Sequence, residues 1–285
     1  GSTKVTIGDA PASGSVTVGY DLSVAAYDSV SFSVAGQETV PTGLAFNSDG
    51  TKMYITGDIT NGVYQYSLST AFDLSTASYD SVSLIVTSQD GSPRHLVFNN
   101  DGTKMYIVGT GNASVYQYSL STAFDLSTAS YDSVSFSVSS QNTNPCQLTF
   151  NGDGTKMFIV GLVGSVVYQY SLSTAFDLST ASYDSVSFSV SSQDTSSLGG
   201  TFNSNGTKMF IVGGTNDTVF QYSLSTGFDL STASYDNISF SVSGQDSIPN
   251  AIVFNTDGDK MFIIGNTNDT IYQYSTGSTV ATATF

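Results

Sequence analysis

The chain has 285 residues, a net charge of −16 and only 11% charged residues. Apart from Lys4 and Arg94, its seven basic side chains are one lysine repeated at a fixed step, so no basic patch exists. That excludes binding to a nucleic-acid backbone and attraction to an anionic membrane. A single cysteine, Cys146, excludes an internal disulfide and a cysteine-based metal site, and no apolar run approaches the roughly 18 residues of a membrane span.

Helix formers are scarce. Glu38 is the one glutamate, while Ser, Thr, Gly, Val, Tyr and Phe dominate, which is the composition of a β protein. An acidic, hydroxyl-rich chain of low charge suits an extracellular or high-salt setting, so a secreted or cell-surface protein is expected. No signal peptide opens the chain, and Gly1-Ser2 reads as a cloning remnant.

Residues 1–20 stand outside a repeat that then runs without insertion or deletion. Asp-Leu-Ser recurs at Asp21, Asp73, Asp125, Asp177 and Asp229, a step of 52 residues. The run Asp49-Gly50-Thr51-Lys52-Met53 returns at Asp101, Asp153, Asn205 and Asp257 with the same step. Such a period means a solenoid, a propeller or an array.

The first element, 27–34, has the pattern of the last strand of each repeat. A full repeat then reads as four strands. Gly43–Asn47 is apolar on both faces, as in its copy Leu96-Val97-Phe98, and so is buried on both. Asn47 to Gly50 forms a hairpin turn, because Asn and Gly tolerate positive φ. Lys52–Gly57 and Val63–Leu68 follow. A longer connection, Ser69–Tyr79, leads to Asp80–Val86. In the third copy of this last strand Val134, Phe136 and Val138 alternate with Ser133, Ser135 and Ser137, the pattern of a half-solvated edge strand.

Four antiparallel strands per repeat describe a blade, so the expected fold is all-β: a closed five-bladed β-propeller filling one domain over 1–285. The chain enters on an outer strand and leaves on a third strand (271–275). The N-terminal strand can therefore complete the C-terminal blade and close the ring. An open array of blades is the alternative. In the flanks 1–20 and 276–285, the stretches 15–18 and 279–285 are β-prone and are expected to pair at the seam.

The run Phe46-Asn47-Ser48-Asp49-Gly50-Thr51-Lys52-Met53-Tyr54-Ile55, followed by Val63-Tyr64-Gln65-Tyr66, resembles the YVTN, NHL and lactonase-like propeller repeats over about residues 27–275. The resemblance implies a blade, and its families include enzymes, sensors and adhesion modules. The repeats here are longer, and the connection 69–79 departs from the usual pattern.

The five copies differ in two segments. One joins the second and third strands, as in Asp58-Ile59-Thr60-Asn61, and the other joins the outer strand to the next inner strand. Alternating strand directions put both on one face, and variation over a fixed scaffold is how loops carry function. Directly before the inner strands stand Thr42, Arg94, Cys146, Leu198 and Asn250, expected to ring the mouth of the central channel, with His95 and Gln147 beside them. Arg94 can hold a carboxylate or sulfate, or pair with an aspartate such as Asp90. A nucleophilic pair of Cys146 and His95 lacks an orienting third group, and no catalytic residue is assigned.

The repeated set Gln65, Asp73, Tyr79 and Asp80 is a second candidate. Aromatic faces stack on sugars while amides and carboxylates bind hydroxyls, and five weak sites gain by avidity. The same residues can instead satisfy backbone groups and pack blade on blade. Calcium is conceivable at the Asp- and Asn-rich loops, but no segment has calcium-loop spacing; no cofactor is assigned. Asn112, Asn216, Asn237 and Asn268 head glycosylation sequons. The expected role is non-catalytic binding or adhesion by a monomer, with a glycan or other cell-surface ligand at the variable face. A lactonase-like hydrolase or lyase and an architectural spacer are the alternatives.

Overall fold

The computed structural model describes residues 14–282. Five four-stranded antiparallel sheets stand around a common axis. The first blade comprises Pro41–Phe46, Lys52–Gly57, Gly62–Leu68 and Ala77–Ile85, from axis to rim, and the next three repeat it along the chain. The fifth takes Pro249–Phe254, Lys260–Gly265 and Thr270–Ser275 from the C-terminal end and its outer strand, Ala26–Ser33, from the N-terminal end. The inner strands of the fifth and first blades are in contact, so the ring is closed.

The core lies between blades. Five apolar clusters each join one blade to the next. Met53, Ile55 and Tyr66 of the first blade pack on Phe262 and Ile264 of the fifth, and Tyr54 and Val63 pack on Met105 and Ile107 of the second. Each blade is covered on both faces, which explains the doubly apolar inner strands. Outer strands meet solvent, and Ser133, Ser135 and Ser137 are exposed.

Most expected boundaries hold or shift by a single residue, and two strand starts move by two or three. The outer strand of the first blade starts at Ala77, not Asp80, and carries a bulge. Tyr79 pairs with Tyr66, and the next partners are Val82 and Gln65, leaving Asp80 and Ser81 as the extra residues, with Ser81 at φ 60. The bulge twists an edge that would otherwise offer a pairing template. The inner strand starts at Pro41, not Gly43, with a bulge at Thr42. Proline is accommodated there because it begins a strand.

The connection 69–79 is ordered by a short 3-10 helix, Leu74–Thr76, capped by Asp73, whose carboxylate accepts from Ser75 N. Phe72, just before it, covers Gly50, where any Cβ would fall within 2.3 Å of the ring. With φ at +74, only glycine fits that turn. At the seam Tyr20 takes the place of Phe72 against Gly258. Beyond the blades, Gly14–Val18 pairs antiparallel with Ser278–Thr282, as their β propensity suggests. Residues 1–13 and 283–285 lie outside the described part.

Candidate functional site

Propeller inner strands have a free edge toward the axis, and their unpaired N–H and C=O groups need partners. Here side chains from other inner strands, and Thr56 from a second strand, partner several of them. Thr42 Oγ1 donates to Pro93 O at 2.9 Å, Thr56 Oγ1 to Arg94 O at 3.0 Å, and Asn250 Nδ2 to Pro41 O at 2.7 Å. One level further in stand Gly43, His95, Gln147, Gly199 and Ala251, all buried. Gln147 Nε2 donates to Ile252 O at 3.3 Å and its Oε1 accepts from Gly200 N at 2.8 Å. His95 Nε2 lies 3.2 Å from Leu44 O. Two large side chains, two glycines and an alanine thus fill the axis.

This layer separates two cavities with different chemistry. On the face of the near-invariant Asp-Gly turns, a funnel of about 380 Å³ opens along the axis. Phe46, Phe98, Phe150 and Phe254 form its wall, with Val97 and Val253 deeper and His95 and Gln147 at the floor. Its rim is made of Ser48, Asn100, Gly152, Ser204 and Thr256. Among the described residues no carboxylate, ammonium or guanidinium lines it. Outside the rim, the turn aspartates Asp49, Asp101 and Asp153 each accept from the N–H and hydroxyl of the threonine two residues on, which holds their carboxyls below the usual range.

The opposite face carries the variable loops and a smaller cavity of about 110 Å³, lined by Arg94, Thr110, Asn144, Cys146, Leu162 and Leu198. Three of the five expected mouth residues therefore meet there. Thr42 is buried beneath, bonded as above, and Asn250 is half-buried, on the carbonyl of Pro41. Arg94 does not pair with Asp90. Its Nη2 lies 3.4 Å from Asp58 Oδ2 and its Nε donates to Thr110 Oγ1 at 3.4 Å.

Asp90 is otherwise engaged. It is buried and accepts from Ser92 N at 2.8 Å, Gly111 N at 3.0 Å and Asn112 N at 3.2 Å, tying the two variable segments of its blade together. Glu38, Asp194 and Asp246 make the corresponding bonds in their blades. In the third blade Asn142 replaces the acid and donates to Val163 O at 2.8 Å. A glycine ends each second strand because the latch lies against it: a Cβ on Gly109 would sit 2.3 Å from Asp90 Cγ. Sequence reading had passed over this latch. Its signal was an acid or amide directly after the repeated glutamine, 19 residues before that glycine in every copy.

His95 and Cys146 do not meet: His95, in the axial layer, lines the funnel, and Cys146 lines the small cavity on the other side. Burial pushes the imidazole down to about 4 and the thiol up to about 11, so both are neutral at pH 7.

The repeated set is drawn into the scaffold. Gln65 Nε2 donates to Asp80 Oδ2 at 2.8 Å, and its Oε1 accepts from Leu126 N of the next blade at 2.9 Å. Lys52 lies 3.5 Å from Asp80, and Tyr79 packs edge-on or tilted against Tyr64 and Tyr66. Gln117, Gln169 and Gln273 repeat the bridge to the following blade. In the fourth blade Gln221 Oε1 is buried without a partner, where the bridge would reach the N-terminal seam. Among the described residues no three His, Cys, Asp or Glu side chains are grouped to hold a metal ion.

No family model and no curated protein matches the sequence. In three dimensions the chain is similar to a candidate 6-phosphogluconolactonase from Bacteroides fragilis, at TM-score 0.55 and 11% identity, over 85% of this chain and 82% of that one. It is also similar to a functionally unknown protein from Desulfotomaculum acetoxidans, at TM-score 0.52 and 12% identity, over 80% of each. A candidate 6-phosphogluconolactonase from Bacteroides uniformis aligns at TM-score 0.49 and 12% identity over 71% of this chain, which spans 55% of that one. At such identities the likeness is one of fold. The protein is a five-bladed β-propeller whose resemblance to lactonase-like propellers, read from its blade motif, holds in space.

Proposed function

We propose that this propeller is a non-catalytic binding module of a secreted or cell-surface protein, and that its ligand is an uncharged glycan seated in the axial funnel, on the face opposite the variable loops at which the sequence predicts it. The carrying observation is the funnel itself. Ligand cavities commonly measure about 300 to 1,000 Å³; at about 380 Å³ the funnel falls within that range, and the loop-side cavity at about 110 Å³ falls below it. Phenylalanine faces offer stacking area for the apolar side of a sugar ring, while hydroxyls and amides at the rim suit its hydroxyls. The ionised aspartates outside the rim disfavour an anionic ligand.

A lactonase-like hydrolase is the second reading, favoured by the fold shared with the candidate 6-phosphogluconolactonase from Bacteroides fragilis. Phosphate recognition calls for cations, and hydrolysis for an acid–base pair. The funnel wall carries neither among the described residues.

The test is a glycan array probed with and without calcium, using the wild-type chain and Val97→Phe, which fills the funnel. Binding lost in Val97→Phe supports the funnel. Binding that persists places the ligand elsewhere on the surface. No binding in either condition defeats the glycan reading and leaves an architectural spacer as the better account. Turnover of lactones by the wild type would overturn the non-catalytic assignment.

A further inference from the structure

The loop-side cavity is a separate site, and nothing about the funnel is needed to argue it. We infer that it binds the carboxylate of a short aliphatic acid, with Arg94 as the anchor.

Arg94 is the one guanidinium lining either cavity, and it is incompletely used. Its contact with Asp58 is single and long, 3.4 Å from Nη2, in a pair whose side chains are 33% and 27% exposed. An ion pair of that geometry and exposure is weak and screened. Nε reaches Thr110 at 3.4 Å, and among the described residues Nη1 has no partner. A guanidinium with spare N–H groups beside a cavity can donate two of them to the two oxygens of a carboxylate. The orientation is fixed from behind. Thr110 Oγ1 donates to Ser92 Oγ at 2.9 Å, and Ser92 Oγ donates to Asp58 Oδ1 at 2.5 Å. Asp58 therefore steers the arginine without neutralising all its donors.

The rest of the cavity selects the tail. Cys146, Leu162 and Leu198 supply an apolar wall, and burial keeps the thiol protonated, so it meets the ligand as a small hydrophobe. The volume of about 110 Å³ admits a few heavy atoms, which fits a short branched chain and excludes a sugar ring. These residues come from three consecutive blades, and no other part of the ring offers the set. Arg94 and Thr110 belong to the second blade, Cys146 and Leu162 to the third, and Leu198 to the fourth. Their equivalents elsewhere, such as Thr42 and Asn250, carry no charge. The same chemistry is presented by a free acid or by the C-terminus of a peptide ending in a small aliphatic residue.

The test is methyl NMR of Leu162 and Leu198 in the full chain, titrated with isobutyrate, isobutyramide, and a valine-terminated peptide as free acid and as amide. Shifts with an acid and none with its amide are expected. Arg94→Gln should weaken binding about tenfold or more. Asp58→Asn, which removes the competing negative charge but keeps an amide oxygen to hold the arginine in place, should strengthen it about threefold. Response to isobutyrate assigns a free acid as the source, and response to the peptide acid alone assigns a chain terminus. Equal response to acid and amide, silence toward both acids, or weaker binding in Asp58→Asn would each overturn the inference. The Asp58 variant keeps the test decisive even where Arg94→Gln perturbs the fold.

Discussion

The two mouths of this propeller are built from opposite kinds of sequence. The funnel mouth is made by segments that barely change between blades: the Asp-Gly turn and the connection through the 3-10 helix. The loop mouth is made by the segments that change most. The larger cavity lies under the invariant segments. The repeated turns bring Phe46, Phe98, Phe150 and Phe254 around the axis in the same way, and a void remains between them. Under the variable loops, unequal side chains fill the centre and leave one off-axis gap beside Arg94. Variation between copies thus marks where the chemistry is individual, and symmetry marks where room is left.

The sharpest way to break this division is at the layer between the mouths. A Cβ on Gly43 would lie 2.6 Å from Arg94 O and 2.7 Å from His95 Cα, both beyond the reach of side-chain adjustment. Gly43→Val should cost more than about 3 kcal/mol in urea unfolding, since overpacking against backbone exceeds the usual penalty. It should also disturb both cavities.

His95 tests the same layer by pH. Its pKa is lowered on folding from 6.5 to about 4, because burial disfavours the cation. The unfolded chain therefore takes up the proton first. The contribution to stability is complete above about pH 6.5 and is lost as pH falls toward 4, to a limit of about 3 kcal/mol. Comparing wild type with His95→Gln across that window isolates the term from the many carboxylates. Equal acid sensitivity in both would show that the imidazole is not buried.

A milder break separates the latch from the cavities it frames. Asp90→Ala leaves three N–H groups without their acceptor and should cost about 2 kcal/mol. Asp90→Asn should cost about half of that, because Asn142 already holds the equivalent loop in the third blade. Thermal unfolding of the pair measures the difference, and the funnel should be untouched by either. Val97→Phe acts on binding and not on folding: it is expected to weaken glycan binding at least tenfold, about 1.4 kcal/mol, while leaving the carboxylate response at Leu198 unchanged. Loss of both would mean that the mouths are coupled through the axial layer.

Much of the repeated structure was legible because it is local. The Asp-Gly turn needs positive φ at Gly50, the serine alternation of the outer strand has a period of two, and the two termini carry complementary parts of one blade. These are statements about neighbours in sequence, and the 52-residue step copies each one five times. The candidate sites were less legible. Gln65 and Asp80 looked like a sugar-binding pair, but Gln65 bridges to Leu126, 61 residues away, and a bridge between blades is invisible until the blades are placed. Arg94 was singled out by being unique, yet its partner came from the loop of the preceding blade, Asp58, and not from nearby Asp90.

By itself, the sequence determined the number of blades, their strand order and the way the ring is closed, because turn chemistry and hydrophobic period act over a few residues and repetition multiplies them. The tertiary structure alone decided where the axis is filled and where it is open. That depends on how His95 and Gln147 share the space left by Gly43, Gly199 and Ala251 at the meeting point of five chain segments, each about 52 residues from the next. Excluded volume at such a point is a property of all five at once, and no single stretch of the chain contains it.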